Sequence, residues 1–211
     1  MLTVSCVNWG TKYSPRYVEI LQAMVERNLT IPNRFVCFTD RPENYRCETR
    51  KIPPGLKGWW PKVWLFSRDL FEDRMLFLDL DVAITGNLDE LVNVPSKFCI
   101  ISDWHLDSYN SSVFVMDKNA HPEVWEDFNS TKGYAGDQDW ITEKIPYAAV
   151  FPSQWCVSYR SHAQPGVPRG TKVICFHGEP KPDSFPSEWV RRVWTADGPA
   201  RRTHGDDHHV S

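Results

Sequence analysis

The sequence predicts an α/β protein with a mostly parallel central sheet flanked by helices. Three observations predict it. The chain opens on a strand–helix–strand pattern, and a helical crossover returns the chain for a parallel second strand. A continuous apolar run, Met75-Leu76-Phe77-Leu78, suits a central strand covered on both faces. At 211 residues, 41% of them apolar, the chain can bury one sizeable core, and it shows neither an internal repeat nor a domain linker.

Taken in order, residues 2–7 form the first strand. Ser14 then serves as N-cap and Pro15 takes the first helical position. Val18, Leu21 and Val25 recur on one face of that helix. Residues 34–39 are the next strand, ending at Asp40. Pro53-Pro54-Gly55 and Gly58 mark a loop, and a helix over 61–70 leads into an extended segment, 74–84. Further strands are predicted at 98–102, 111–116 and 172–176, and helices at 122–128 and 138–144. The domain covers 1–194. From Thr195 the composition turns to Gly, Asp, His and Arg without periodicity, which reads as a disordered tail over 195–211.

Composition excludes several classes of function. The net charge is −3 and no long basic run occurs, so nucleic acid is not a partner; Arg191-Arg192 and Arg201-Arg202 read as solvated surface. No apolar stretch reaches the roughly 18 residues of a membrane span. The opening MLTVSCVNWG lacks a basic region and a small-residue cleavage site, so it reads as a strand and not a signal peptide. Six scattered cysteines, the nearest two ten positions apart, suit reduced thiols in a cytoplasmic protein. On that reading the glycosylation triplets at Asn28, Asn110 and Asn129 are chance.

The sharpest chemical signal is Asp79-Leu80-Asp81, directly after the apolar run. In a strand the two carboxylates point one way and Leu78 and Leu80 the other. They fall at the carboxyl end of a buried strand, where open α/β sheets place ligands. Adjacent carboxylates repel and are costly to desolvate, and a divalent cation resolves that conflict. Oxygen ligands favour Mg²⁺ or Mn²⁺, and such a cation can bridge to a diphosphate. His177 also follows an apolar run, at 173–176, and is a candidate third ligand that tilts the choice towards Mn²⁺. Gly178 lets backbone approach a phosphate, and Lys181 supplies a point charge for it. Asp137 and Asp139 open a helix, where one of them caps it. The structural alternative for each is bland: a carboxylate capping a helix, or a histidine packed at a strand end.

Phosphatases of the haloacid dehalogenase type also carry Asp-x-Asp after an apolar strand. They place Thr or Val two positions after the second Asp, where this chain has Ala83, and they begin with the motif, whereas here a full strand–helix–strand unit precedes it. Gly205-Asp206-Asp207 resembles their later acidic motif.

Residues 74–91, RMLFLDLDVAITGNLDEL, resemble the metal-binding segment of GT-A fold glycosyltransferases, most of all those related to family 8, the glycogenin and lipopolysaccharide galactosyltransferase group. Three more stretches are similar in the same order: Tyr109-Asn110-Ser111-Ser112-Val113, Gly136-Asp137-Gln138-Asp139, and Phe176-His177-Gly178-Glu179-Pro180-Lys181-Pro182. The resemblance implies a single GT-A, Rossmann-like domain. It implies transfer of a hexose from a nucleotide diphosphate sugar, UDP above all, to a saccharide or other hydroxyl acceptor, with retention of configuration. It further implies a metal held by Asp79, Asp81 and His177, donor-sugar hydroxyls gripped by Asp137, and Gln138 facing the anomeric carbon. Asn110 corresponds to a sugar or acceptor contact. Val7-Asn8-Trp9-Gly10 corresponds to the base-binding loop, with Tyr13 placed to stack on the base and Asp40 near base or ribose. The family's basic residue ahead of the metal strand falls on Lys62 or Arg68, with Lys62 favoured. Trp59, Trp60 and Trp104 flank loops and are candidates to stack on sugar faces. The chain departs from the family's Asp-x-Asn-Tyr base motif, and Asp183 replaces the Trp after the final Lys-Pro. A non-catalytic nucleotide-sugar binding module would share most of these features.

Overall fold

In the computed structural model, which describes residues 1–130 and 132–197, β1 (Leu2–Asn8) passes through α1 (Pro15–Asn28) to β2 (Asn33–Thr39). The two strands pair in parallel, Cys6 opposite Cys37. Ser14 and Pro15 occupy the expected positions, although the Ser14 side chain makes no capping bond. After β3 (Glu48–Lys51) come α2 (Pro61–Trp64), β4 (Arg74–Leu78), β5 (Val82–Ile84) and α3 (Asp89–Val92). Next follow β6 (Phe98–Ser102), β7 (Tyr109–Asp117), α4 (Glu123–Glu126) and α5 (Asp137–Lys144). The last elements are β8 (Ala149–Val150), β9 (Cys156–Ser158), β10 (Val173–Cys175) and α6 (Glu188–Val193).

The central sheet runs β3-β2-β1-β4-β7-β6-β8 and is parallel except at β7, which is antiparallel to both neighbours. Period two along β4 sends Leu76 and Leu78 into the core shared with α1 and α6, and Met75 and Phe77 into the core shared with α2, α4 and α5. All four are fully buried, which explains why the run carries no polar residue. Each such burial contributes about 1.5–3 kcal/mol.

Two expected elements are cut short. The segment 74–84 is not one strand. Its backbone bonds change partner at the aspartates: Asp79 N–H donates to Ser112 O at 2.8 Å, and Asp81 O accepts from Phe176 N–H at 3.0 Å. Beyond that switch β5 leaves the main sheet for a second one, β5-β10-β9. Asp79 and Asp81 therefore sit on a crossover between sheets, and strand alternation does not set their directions. The helix expected over 61–70 is one regular turn. Asp69 takes a left-handed φ of 57° and its N–H is caught by Asn119 Oδ1 at 2.8 Å, which turns the chain away.

Arg27 donates to the carbonyls of Val193 (3.3 Å), Thr195 (2.7 Å) and Ala196 (3.4 Å). These bonds hold the first residues of the segment expected to be a tail against α1. The rest of that segment, with Arg201-Arg202 and Gly205-Asp206-Asp207, lies outside the described residues. No helix among the described residues is long and apolar enough to cross a membrane.

Candidate active site

Asp79 faces Lys62, which α2 delivers from beneath. The ammonium lies 2.7 and 2.9 Å from the two carboxylate oxygens, 3.3 Å from Ser111 Oγ and 3.9 Å from Asp137. Ser111 Oγ in turn donates to Asp137 Oδ2 at 2.6 Å, and Ser111 N–H donates to Gln138 Oε1 at 3.3 Å. Helix α5 thus plants Asp137 and Gln138 against β7 beside the first aspartate. Burial raises the Asp79 carboxyl to about 6 while Lys62 pulls it back down. Burial alone would lower Lys62, but Asp79 and Asp137 outweigh it and push the ammonium up to about 12. Neither aspartate is the N-cap, a place that Gly136 takes without a side-chain bond; Asp139, in the first turn, accepts from Ala135 N–H at 2.9 Å just ahead of the helix.

Asp81 has a different cation. Lys181 Nζ donates to its Oδ2 at 2.6 Å and to Phe176 O at 3.0 Å, and Tyr13 O–H donates to the same Oδ2 at 2.8 Å. Burial, then the Asp81 charge, lift the Tyr13 phenol well above its ordinary value, so it stays a donor. Asp183, which stands where the resemblance expects Trp, instead adds its charge near the Tyr17 phenol, which burial and that carboxylate raise above its ordinary value. Each aspartate therefore has its own lysine, 17 and 100 positions away in sequence.

His177 is elsewhere. Its Nε2 meets Ser158 Oγ at 2.6 Å, and its ring stacks on Trp104 at 5.2 Å between centroids. Burial, then the charge of Arg160, hold its pKa below the usual value, so the ring is neutral at pH 7. Among the described residues no three His, Cys, Asp or Glu side chains converge to hold a metal ion, so the three-residue shell of Asp79, Asp81 and His177 is not assembled. Two carboxylates remain a sufficient donor set: Mg²⁺ and Mn²⁺ commonly take one or two carboxylates and complete their shell with water and phosphate oxygens. Asp79 and Asp81 fit that chemistry once Lys181 moves off Asp81.

The strand ends on the other side of β4 carry the nucleotide candidates. Asn8 is 1% exposed; its Nδ2 donates to Tyr13 O at 3.3 Å, and its Oδ1 has no partner among the described residues. Asp40 Oδ1 accepts from Gly10 N–H at 3.1 Å, so the loop after Val7 is tied to the end of β2. Gly178 has φ +69°, and a Cβ there would stand 3.3 Å from the Arg160 guanidinium. Arg68, the other basic candidate, pairs with Glu126 on the surface. Asn110 Oδ1 accepts from Ser112 N–H at 3.0 Å, a turn-type bond.

The tryptophans divide. Trp60 stacks on Phe128 at 5.3 Å and, partly buried, packs against the core. Trp59 is 51% exposed and lies over Gly136, directly before Asp137. Ser111 and Arg160 were missed by sequence reasoning. Ser111 had a weak signal in its place within the Tyr109–Val113 motif; Arg160 had none.

No family model and no curated protein sequence matches the chain. Solved structures do. The glycosyltransferase GlyE of Streptococcus pneumoniae superposes with a TM-score of 0.66 at 11% identity, over 86% of this chain and 56% of that one. The galactosyltransferase LgtC, solved with donor and acceptor sugar analogs, gives 0.60 at 13% identity over 92% and 96%. The bifunctional glycosyltransferase WbbM gives 0.61 at 13% over 86% and 46%. The chain thus spans about half the length of GlyE and WbbM and nearly all of LgtC. At these identities the likeness is one of fold: a mixed α/β sheet flanked by helices, the GT-A fold of these glycosyltransferases.

Proposed function

We propose that the chain is a metal-dependent glycosyltransferase that moves a hexose from a nucleotide diphosphate sugar, UDP-hexose by preference, to a hydroxyl of a saccharide or similar acceptor. The observation that carries this reading is the pair of lysines, each largely buried and each within 3 Å of one aspartate of the Asp79-Leu80-Asp81 segment. That arrangement alternates fixed charge as a diphosphate and its counter-ion require. Held by Asp79 and Asp81, Mn²⁺ or Mg²⁺ would supply positive charge for the diphosphate oxygens.

This chain's own groups do the rest. Lys181 moves from Asp81 to a phosphate oxygen, and Gly178 lets the backbone approach that phosphate. Asn8 Oδ1, buried and unpartnered, accepts an N–H from the base, and Tyr13 presents its ring beside it. Asp137, fixed by Ser111, would hold sugar hydroxyls, and Gln138, bonded to Ser111 N–H beside it, takes by resemblance the place that faces C1. In the transfer the C1–O bond to the diphosphate breaks and its electron pair stays on the phosphate oxygen. The acceptor oxygen bonds C1, and its proton passes to the departing diphosphate. Retention of configuration and a cytoplasmic setting belong to the same proposal, the first on the resemblance and the second on the cysteine pattern.

Incubation with a panel of nucleotide sugars and Mn²⁺ tests it. Slow release of nucleotide from one of them supports a transferase. Phosphate release from small phosphomonoesters would point to a phosphatase instead, and tight binding without turnover under saturating acceptors to a binding module.

A further inference from the structure

Ser111 is 1% exposed on β7, and both its side chain and its backbone are engaged. Its hydroxyl donates to Asp137 Oδ2 at 2.6 Å and accepts from Lys62 Nζ at 3.3 Å. Its backbone N–H donates to Gln138 Oε1 at 3.3 Å. The bonds to the charged partners are the strong ones. A backbone N–H can only donate, so the end of the Gln138 amide that meets it is the carbonyl oxygen. One small residue thus takes one polar end from each of two neighbouring side chains on α5.

The two ends left over are complementary. Asp137 is 4% exposed and keeps Oδ1 without a bond among the described residues, and Gln138 keeps its Nε2 amide likewise. Neither atom is sealed in the core. The open pair is therefore one acceptor and one donor at adjoining positions, beside the Asp79–Lys62 ion pair. A hydroxyl both donates and accepts, so a single hydroxyl can satisfy both, donating to Oδ1 and accepting from Nε2. Without the serine hydroxyl nothing distinguishes the two oxygens of Asp137, and the carboxylate can swing onto Lys62, whose ammonium is 3.9 Å away.

We propose that Ser111 is a positioning residue that sets donor specificity: it turns Asp137 and Gln138 so that together they read one hydroxyl of the donor sugar, a reading that rests on the transferase assignment. The donor class it selects carries a hydroxyl at that place. A deoxy sugar there leaves a carboxylate oxygen and an amide without partners in a largely buried setting, which is costly. Sites built to bond a hydroxyl reject the analogue that lacks it far more strongly than an apolar pocket separates two sizes.

The test is calorimetric titration of the full chain, with Mn²⁺, against UDP, UDP-glucose, UDP-galactose and the monodeoxy forms of whichever sugar nucleotide binds more tightly. One monodeoxy form should bind the parent at least about tenfold more weakly than the full sugar. In Ser111→Ala, which keeps the backbone N–H, that ratio should fall to about threefold or less, with UDP affinity within about twofold of the parent. Ser111→Cys replaces the hydroxyl by a weak donor, so its ratio should lie between, and it carries the comparison if the alanine variant does not fold. A merely structural role would weaken UDP and every sugar nucleotide alike. That outcome, a parent that discriminates against no deoxy form, or a ratio unchanged in the variants overturns the inference. UDP affinity separates the two readings. Normal UDP binding without the change in ratio removes the Ser111 assignment alone, whereas a parent that binds none of these nucleotides removes the donor reading itself.

Discussion

Asp79 is the residue whose titration matters most. Its folded-state value, about 6, lies above the ordinary carboxylate value. A raised carboxyl favours the folded metal-free protein at low pH, and that contribution is lost as pH rises through about 6. A metal ion competes with the same proton. Mn²⁺ affinity should therefore fall as pH drops below about 6, and a manganese titration between pH 4.5 and 7.5 measures it. His177→Ala should keep that pH step, because the ring is engaged with Ser158 and Trp104; loss of the step in this variant would restore the histidine to the metal shell. Lys181 gives a second contrast. Lys181→Ala should bind bare Mn²⁺ at least as well as the parent, since Asp81 is released, yet bind UDP roughly ten- to hundredfold more weakly, about 1.5–3 kcal/mol. Weaker Mn²⁺ binding by Lys181→Ala would count against the exchange of partners. At this scale the acidic pair and Lys181 stood out beside apolar runs, whereas Lys62 was singled out only by the resemblance. The direction of the His177 ring was not legible, since a strand end names a place and not an orientation. Ser111 gave only a weak signal, through its motif, because a small hydroxyl gains meaning only from burial.

Elements were legible where burial wrote a pattern. The apolar runs gave β1, β2, β6 and β7 to within a residue or two, and the start of β4. Two-to-four-residue strands such as β3, β8 and β9 carry too few positions for any period to register. The split of β4 from β5 was hidden because Val82, Ala83 and Ile84 are as buried as the strand before them, only in another sheet. That second sheet has a narrow joint at Gly86. A Cβ there would lie 2.9 Å from Thr171 O and 3.3 Å from Lys172 Cα, both backbone atoms. Gly86→Ala should cost about 1–3 kcal/mol in urea unfolding, by forcing β5 away from β10. A neutral result would mean the β5–β10 joint yields freely. At the other end, Trp60→Ala should cost about 2 kcal/mol through its lost stacking on Phe128. Trp59→Ala should leave the melting temperature nearly unchanged and raise the Michaelis constant for a sugar substrate, because the ring is half exposed and lies over Gly136, directly before Asp137. Normal kinetics with lower stability would instead make Trp59 a packing residue.

For the molecule as a whole, folding and donor binding are linked. A ligand that binds only the folded form at a hundredfold excess over its Kd adds about 2.7 kcal/mol. For a domain of this size each kcal/mol is worth about 2–4 °C, so UDP with Mn²⁺ should raise the melting temperature by about 5–10 °C. EDTA should abolish the rise; a shift by UDP that survives EDTA would remove the metal from the proposal. The fold class was legible at this scale because the parallel opening unit and one fully apolar strand leave few architectures open. The π-helical turn Tyr159–Ala163 and the loops around it were not, since residues 151–171 show neither helical nor strand period. The distance between Asp81 and its lysine has a further consequence, for biogenesis. The two are 100 positions apart, and β5 has no partner until β10 exists. At about 5–20 residues per second on the ribosome, the first half of the chain waits roughly 5–20 s with an unpaired apolar edge and a naked carboxylate. During that interval the nascent chain is a client for chaperones, and a ribosome stalled shortly after Asp81 should release a species that aggregates instead of a smaller working enzyme.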